Sequence, residues 1–460
     1  MTEDRHGVRD DRPGAGEDTR HGRVWDRALQ ALALIEVGKT ADGALRKVES
    51  KARDLGASER QQLREMIFSL LRNRRAVEDR LQRAARAERR DLNRIEPPLA
   101  QRLLLVAHRV AESGSLVEAE TVEAGLVRRF GGLLRRIATD RLPPSKRDAL
   151  EAHAIDYNLP TWILERWVDR LGSSQATAVA EALRSRGPLT VYVKSARGSD
   201  GTSIEDRDAV LEKLRSDGLE AAKTELSPFG LRLPLGTDLS PLPMRARLEV
   251  QDEGSQLVAL AAAMRGTNPD CRILDACAGA GGKTLVLLDR CPGAEITAVE
   301  PDANKYRELL RRLPRREVTT ERSDLEGFAK RHPSSFDVVL VDAPCTGTGT
   351  LRRHPELAHR LTPERLELET TRQKLLVASA YEVCRPGGVL VYATCSVFAE
   401  ENEDIADYAG EHLVGVQPIS VFGEPEGATT LPQGWKVRIG PGPTSEGPDG
   451  FFIAAFQKGP

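Results

Sequence analysis

Aromatic residues, cysteines and long apolar runs are all scarce in this chain. Aromatic side chains make up 4% of its 460 residues, so its cores must be mostly aliphatic. No apolar run approaches the roughly 18 residues that a bilayer-spanning helix needs. The opening Met1-Thr2-Glu3-Asp4-Arg5-His6 leads into no apolar signal region. The six cysteines form no CxxC pair, which argues against structural zinc. In a chain this long with no secretion signal they are expected to be reduced thiols. These absences favour a cytoplasmic protein with no membrane partner and no metal, and a monomer is expected.

What is present fits a globular protein of two or three domains: 40% hydrophobic and 30% charged residues. The net charge of −2 is unevenly spread. Residues 24–155 hold 26 Lys/Arg against 19 Asp/Glu, a balance of +7 that leaves −9 for the rest. A basic front section suits a polyanion surface, although arginine is also an ordinary occupant of solvated helix faces.

Residues 1–23 are charged and nearly free of large apolar side chains, the composition of a disordered tail. From 24 to 155 the apolar spacing is helical. Ala28, Leu29, Leu32 and Ile35 begin it, Leu63, Ile67, Leu70 and Leu71 continue it, and Leu103, Leu104, Val106 and Val110 follow. Breaks at Gly38, Gly56, Pro97-Pro98 and Gly114 divide this all-helical domain into five to seven helices. Residues 156–249 read as a small α/β subdomain, with a strand at 189–193 and a helix at 207–217. From 250 to 460 strands and helices alternate regularly. Strands are expected at 272–275, 295–300, 336–341 and 388–394, with a further one before Asp324, which implies a doubly wound parallel sheet.

The first of these strands runs into Asp275-Ala276-Cys277-Ala278-Gly279-Ala280-Gly281-Gly282-Lys283-Thr284. Glycines after a strand let the backbone turn sharply and approach a ligand. A dinucleotide fingerprint would need glycine at Thr284, and a P-loop would need glycine at Cys277. A nucleoside-binding loop of a methyltransferase fits. It needs an acid at the end of the second strand for the ribose hydroxyls, where Glu300 stands. Asp324, after the third strand, is placed to approach the adenine.

Two more strand ends carry thiols. Val338-Val339-Leu340-Val341 leads into Asp342-Ala343-Pro344-Cys345, and Val389-Leu390-Val391 leads into Tyr392-Ala393-Thr394-Cys395-Ser396. In an open α/β sheet ligands sit beyond the carboxyl ends of the strands, so two thiols there suggest covalent chemistry on a bound substrate. Cys271, Cys291 and Cys384 lack such a setting and read as small core hydrophobes.

Six motifs in order carry a resemblance. They are Val250-Gln251-Asp252-Glu253 with Ser255-Gln256; the loop Cys277–Lys283; Asp342–Cys345; Gly347-Thr348-Gly349 with Arg352-Arg353-His354-Pro355; Thr394-Cys395-Ser396 with Glu400-Glu401-Asn402; and Asp449-Gly450-Phe451-Phe452. Through them residues 250–460 resemble the RNA 5-methylcytosine methyltransferases that use S-adenosylmethionine. The helical section resembles a NusB-like RNA-binding domain, and the combination is similar to the bacterial 16S ribosomal RNA cytosine-5 methyltransferases. Ala280 stands where that family usually has proline, Glu300 where it often has aspartate, and Lys194 where it often has asparagine.

The resemblance implies a Rossmann-like catalytic domain behind two RNA-binding domains. It implies Cys395 as the nucleophile that adds to carbon 6 of cytosine, Cys345 as the thiol that assists release, and Asp342 as the group bonding the ring nitrogen. It implies S-adenosylmethionine held by Cys277, Ala278, Gly279, Ala280, Gly281, Gly282, Lys283, Glu300, Asp324 and Asp342, with Lys283 toward the methionine carboxylate. Arg352, Arg353 and His354 are expected to grip phosphate near the target base. Two alternatives remain open: a 5-methylcytosine enzyme acting on transfer RNA, and a NusB-like RNA-binding factor whose methyltransferase domain is inactive.

Overall fold

The structure, a computed structural model, describes residues 15–143, 147–195, 204–242, 244–314, 317–422, 431–441 and 446–460. It divides into a helical unit, reaching Thr161 and including His354–His359, and an α/β unit made of Trp162–Arg353 and Arg360–Pro460.

The helical unit contains α1 (Ala15–Glu36), α2 (Ala41–Glu49), α3 (Ala57–Ala87), α4 (Pro97–Ser113), α5 (Val117–Ala138) and α6 (Ala149–Asp156). The apolar spacing works as expected: Ala28, Leu32 and Ile35 bury against Leu63, Ile67 and Leu70 and against Leu103, Val106 and Val110 in one aliphatic core. The tail expected over 1–23 is overtaken by α1, which begins at Ala15; residues 1–14 lie outside the described residues. Burial of Val24 and Trp25 anchors this end of the helix to the core, and the residues upstream continue it. One buried carboxylate ties three helices together. Glu123, at a kink in α5, accepts from Trp25 Nε1 at 3.0 Å and from Arg102 Nε and Nη2 at 2.7 and 2.6 Å. In the inserted segment, Glu356 accepts the Ala41 amide at 3.0 Å, capping the positive end of α2. His359 is buried near Arg74 and Arg75, and burial first, then those charges, push its pKa down to about 3.

The α/β unit begins with α7 (Thr161–Leu171) and α8 (Ser173–Arg184). A four-stranded antiparallel sheet follows, built from β1 (Leu189–Val193), β2 (Ala222–Lys223), β3 (Gly230–Leu233) and β4 (Leu248–Val250) in the order β2-β3-β1-β4. Helix α9 (Ile204–Ser216) belongs to this layer, and Val210, Leu211 and Leu214 bury with Val191, Val193 and Leu231.

The second sheet follows α10 (Glu253–Ala263). Its elements are β5 (Arg272–Asp275), α11 (Gly282–Arg290), β6 (Glu295–Val299), α12 (Ala303–Arg312), β7 (Val318–Glu321), α13 (Leu325–Arg331), β8 (Phe336–Asp342), α14 (Pro363–Val383), β9 (Cys384–Thr394), α15 (Glu403–His412), β10 (Val416–Pro418), β11 (Lys436–Ile439) and β12 (Phe451–Lys458). Strand order is β10-β12-β9-β8-β5-β6-β7, with β11 on β12. The five strands β5 to β9 run parallel, and the order reverses between β5 and β8, which opens the crevice where ligands bind in such sheets. The sheet is mixed rather than all parallel: β12 runs antiparallel to β9, and β10 and β11 run antiparallel to β12. Residues Phe452 to Phe456 are fully buried, so this last strand is an unbroken apolar run with no helix beside it to mark it in the sequence. The three other cysteines are core residues, and burial pushes their thiols up to about 11 in Cys271 and about 12 in Cys291 and Cys384. No described helix is long and apolar enough to cross a membrane.

A buried ionic cluster closes this unit and corrects one expectation. The Arg352 side chain is 0% exposed and pairs through Nε with Asp449. Arg353 reaches both Asp449 at 2.6 Å and Asp252 at 2.9 Å. These guanidiniums hold three distant stretches of chain together; Arg352 is closed off from phosphate, while the Arg353 side chain keeps 28% of its surface exposed. His354 falls in the helical unit, 3.6 Å from Glu356. Breaking one partner of a buried pair strands the other charge in low dielectric, at about 3–5 kcal/mol. Arg352→Met is therefore expected to destabilise the α/β unit by that amount, read as a lower urea unfolding midpoint, while RNA affinity of the folded protein holds. An unchanged midpoint with weakened RNA binding would return Arg352 to a phosphate-binding role.

Candidate active site

The site starts from strand register. β8 and β9 are parallel neighbours with Asp342 opposite Ala393. The Ala343 amide donates to the Ala393 carbonyl at 2.8 Å, so both chains leave the sheet side by side. Cys345 lies three residues beyond Asp342 and Cys395 two beyond Ala393, and their Sγ atoms come within 3.4 Å. The Gly349 amide then donates to the Cys395 carbonyl at 2.9 Å, and a Cβ added at Gly349 would collide with the Gly450 carbonyl. Glycine is thus required where the Cys345 loop crosses the C-terminal segment.

Both thiols and Asp342 line a cavity of about 640 Å³. The hydrogen bond with Cys395 first, then burial, raise the Cys345 thiol well above its ordinary range. Asp342 is paired with Lys283 Nζ at 2.5 Å, and that ammonium also lies 5.6 Å from the centre of the Phe451 ring. Burial works against the Lys283 charge, but Asp342 and the neighbouring Cys395 outweigh it and raise its pKa. Lys283 is neither a surface residue nor a lining residue of the cavity; it is the cation between the carboxylate and the thiol.

The other end of the cavity is acidic. Of the Gly-rich loop, Cys277 and Gly279 line it together with Ala276. Gly279 has φ +56° and nothing within 4 Å of where a Cβ would be, so its backbone is open to a ligand. Gly281, at φ +85°, packs against Leu309 and Leu313 of α12 instead. Ala278, Ala280, Gly281, Gly282 and Lys283 build the turn rather than the wall. Burial raises the Cys277 thiol far out of reach of ionisation, so this cysteine contributes shape and backbone. Glu300 lines the cavity and accepts the amides of Gly279 at 2.9 Å and Asp302 at 2.7 Å. That brace holds the second strand end to the Gly-rich loop. Asp324 also lines it and caps α13 by accepting the Gly327 amide at 2.7 Å. Asp275, which ends β5, accepts from Thr284 Oγ1 at 2.7 Å, and burial lifts its carboxyl to about 6.

Sequence reasoning missed two groups. Arg365, Glu369, Arg372 and Leu376 of α14 form a further wall of the cavity, yet in the sequence they are ordinary members of an amphipathic helix. Glu401 and Asn402 were visible as part of a motif, with no role attached. Both are fully buried. Asn402 accepts from Thr394 Oγ1 at 2.5 Å and donates to the Ser396 carbonyl at 2.9 Å, gripping Cys395 from both flanks. Glu401 holds the residue after Cys345.

Family models match two parts of the chain. Residues 262–457 match the 16S rRNA methyltransferase RsmB/F model, and residues 159–240 match the ferredoxin-like domain of RsmF/B-like methyltransferases. A ribosomal RNA small subunit methyltransferase B from Xylella fastidiosa is 33% identical over 71% of this chain and 71% of its own length. A probable ribosomal RNA small subunit methyltransferase B from Bacillus subtilis is 25% identical over 95% of this chain and 98% of its own. Among solved structures, PH0851 aligns over 95% of this chain and 99% of its own with a TM-score of 0.73 at 22% identity, a likeness of fold. A methyltransferase homologue from Pyrococcus horikoshii covers 68% of this chain, and 99% of its own length, with a TM-score of 0.54 at 25% identity. On the matched models, the relatives and the shared fold, this chain belongs to the RsmB/F family of 16S rRNA methyltransferases.

Proposed function

We propose that this protein methylates carbon 5 of a cytosine in 16S ribosomal RNA, with S-adenosylmethionine as methyl donor and through a covalent Cys395–cytosine adduct. The observation that carries this reading is the pair of thiols 3.4 Å apart, with Asp342 on the wall of the same cavity. Carbon 5 of cytosine is a poor nucleophile until a thiolate adds at carbon 6 and makes the ring enamine-like. Cys395 acts as the nucleophile, and Cys345, whose thiol is raised well above its ordinary range beside it, acts as the releasing group. The ring nitrogen of the adduct takes a proton from solvent and gives it back on elimination; Asp342 accepts a hydrogen bond from that N–H, and Lys283 holds the carboxylate in place.

The cavity fits the cofactor. A volume of about 640 Å³ is ordinary for a ligand of this size, and its six carboxylates outnumber Lys305, Arg365 and Arg372, a net negative lining that suits a sulfonium cation with a ribose diol. Glu300 would take the diol, Asp324 and Leu325 the adenine, and the open backbone at Gly279 the body of the molecule. When bound, S-adenosylmethionine supplies an electrophilic methyl group.

The thiol pair also orders the protons. Once Cys395 is a neutral thioether, it no longer engages the Cys345 thiol by hydrogen bond or by charge, which relieves what raised that thiol. Cys345 then loses its proton to solvent, which is the one net proton the reaction releases. As a thiolate it takes the hydrogen from methylated carbon 5. The electron pair returns to the ring, and Cys395 leaves as a thiolate, restoring the pair that shares a single proton.

The target base must leave its stack to reach these sulfurs, and RNA is read most easily where it is unpaired. We assign RNA binding to the NusB-like helical unit and to the small sheet of the α/β unit. In the helical unit Arg90, Arg128, Arg129 and Arg135 line a cleft of about 590 Å³ with Glu88 and Glu120, a concentration of guanidiniums suited to phosphate.

Two outcomes test these assignments. Cys345→Ala, incubated with S-adenosylmethionine and RNA, is expected to accumulate a protein–RNA complex that survives denaturing electrophoresis. The complex should vanish when Cys395 is also replaced, and sequencing the trapped RNA names the substrate. RNA and cofactor binding without any trapped complex would favour a binding factor with an inactive catalytic domain. Separately, Arg128→Gln with Arg129→Gln should weaken RNA binding and flatten the slope of log K against log salt, by about 0.7 for each phosphate no longer neutralised. An unaltered slope would remove that cleft from the RNA surface.

A further inference from the structure

The Cys345 loop is held by a buried carboxylate to which the proposed reaction gives no part. Glu401 is 0% exposed. Its Oε1 accepts the Thr346 amide at 2.8 Å, and its Oε2 accepts the Thr346 hydroxyl. The same Oε1 accepts Gln373 Nε2 at 3.0 Å, and that amide nitrogen also donates to the Pro344 carbonyl at 2.9 Å. The residues on both sides of Cys345 are therefore tied to one carboxylate, directly on one side and through Gln373 on the other. Tyr392 fixes the other end of the arrangement by donating to the Glu401 carbonyl at 2.6 Å from inside β9. Cys345 itself is bonded to its neighbour sulfur, and neither Glu401 nor Gln373 lines the cavity.

A buried carboxylate is costly unless its lone pairs are filled, and burial indeed raises the Glu401 pKa against several donors that lower it. An apolar residue at this place would fill the volume without that cost, but it could not fix the Pro344-Cys345-Thr346 backbone. Asn402, the next residue, does the equivalent for Thr394-Cys395-Ser396. One dipeptide thus sets both thiol loops: Asn402 grips Cys395 from both flanks, while Glu401 holds both neighbours of Cys345 and meets the Cys395 loop only at the Ser396 side chain.

We propose that Glu401 is a positioning residue for Cys345, acting through Thr346 and Gln373 to hold its sulfur where the carbon-5 proton must be collected, and so governing release of the adduct rather than its formation. The inference rests on the reading of Cys345 as the releasing thiol. Cys395 is held by Asn402, so addition to carbon 6 and methyl transfer survive when Glu401 is replaced. Misplacing a reacting group by about 1 Å costs on the order of a hundredfold in rate, and here that loss falls on the last step.

The test compares Glu401→Ala, Glu401→Gln and Gln373→Met with Cys345→Ala, using full-length protein, S-adenosylmethionine and the RNA trapped by Cys345→Ala. Glu401→Ala is expected to transfer one methyl group per enzyme at close to the normal rate, to turn over about a hundredfold more slowly, and to accumulate the covalent complex. Glu401→Gln retains an oxygen acceptor for the Thr346 amide and should restore most of the turnover, and Gln373→Met should accumulate the complex to a lesser degree. Gln373→Met also decides the question should Glu401→Ala fail to fold. Normal turnover in Glu401→Ala, or slow turnover in both Glu401→Ala and Gln373→Met without accumulated complex, overturns the inference while Cys345→Ala still traps RNA. Failure of Cys345→Ala to trap RNA instead strikes the reaction on which the inference rests.

Discussion

The parallel pairing of β8 with β9 is the constraint on which the catalytic end of this molecule depends. Parallel neighbours end on the same edge, so residues a few positions past the last rung emerge side by side. With Asp342 opposite Ala393, the two thiols fall at nearly equal height and meet at 3.4 Å. A shift of one residue in either loop would separate the sulfurs or turn one of them into the sheet. The switch in strand order between β5 and β8 places the nucleoside end of the cavity on the other side of the same crevice. In the proposed reaction, thiol chemistry and cofactor binding are adjacent because the described strands change order at one such crevice.

Charge then divides that crevice. Six carboxylates, Glu300, Asp302, Asp324, Glu326, Asp342 and Glu369, face the cavity, against Lys305, Arg365 and Arg372. Left alone they would oppose the ionisation of any nearby thiol. Lys283 answers this at the catalytic end: its ammonium pairs with Asp342 and adjoins Cys395, so the local field there is close to balanced. At the far end the carboxylates are satisfied by backbone amides, two on Glu300 and one on Asp324, which leaves their lone pairs oriented but not neutralised. That end suits a cationic ligand, and at the thiol end the Lys283 ammonium sets a positive charge near the sulfurs.

The catalytic strands were legible because each joins an apolar run to a loop whose residue types have a chemical purpose. Val338–Val341 before Asp342 and Cys345 is of this kind, as is Leu274-Asp275 before the glycines. β12 was not legible, since Phe452 to Phe456 is apolar throughout and lacks the helix that gave the parallel strands their rhythm. The boundary of α1 was lost for a related reason: its first turns carry charged helix formers, which in sequence cannot be told from an unstructured tail. Arg352 and Arg353 misled because an arginine pair beside a reactive loop looks the same whether its partner is a phosphate or a distant aspartate. Asp449, 97 residues beyond Arg352, becomes that partner only in the folded chain. The walls that α14 supplies were hidden in the same way, because which face of an amphipathic helix meets a cavity is decided by tertiary packing.

The same reasoning explains why so much polar material is buried around the two sulfurs. Thr346, Thr348, Ser396, Glu401 and Asn402 are all inaccessible and linked to one another by hydrogen bonds. An aliphatic core would carry a smaller desolvation penalty, but aliphatic contacts are non-directional and leave loops free to slide by fractions of an ångström. Hydrogen bonds impose distance and angle, and a network in which each member is satisfied resists displacement as a unit. In the proposed reaction two loops each present one sulfur to the same base, and they need that rigidity more than they need the extra stability. The network runs between the loops as well as within them: the Thr348 hydroxyl accepts the Val397 amide at 2.9 Å, binding the Cys345 loop to the Cys395 loop. The separation of the sulfurs is therefore set largely by hydrogen bonds of their neighbours, and in the proposed reaction that arrangement keeps both thiols in place as their covalent state changes.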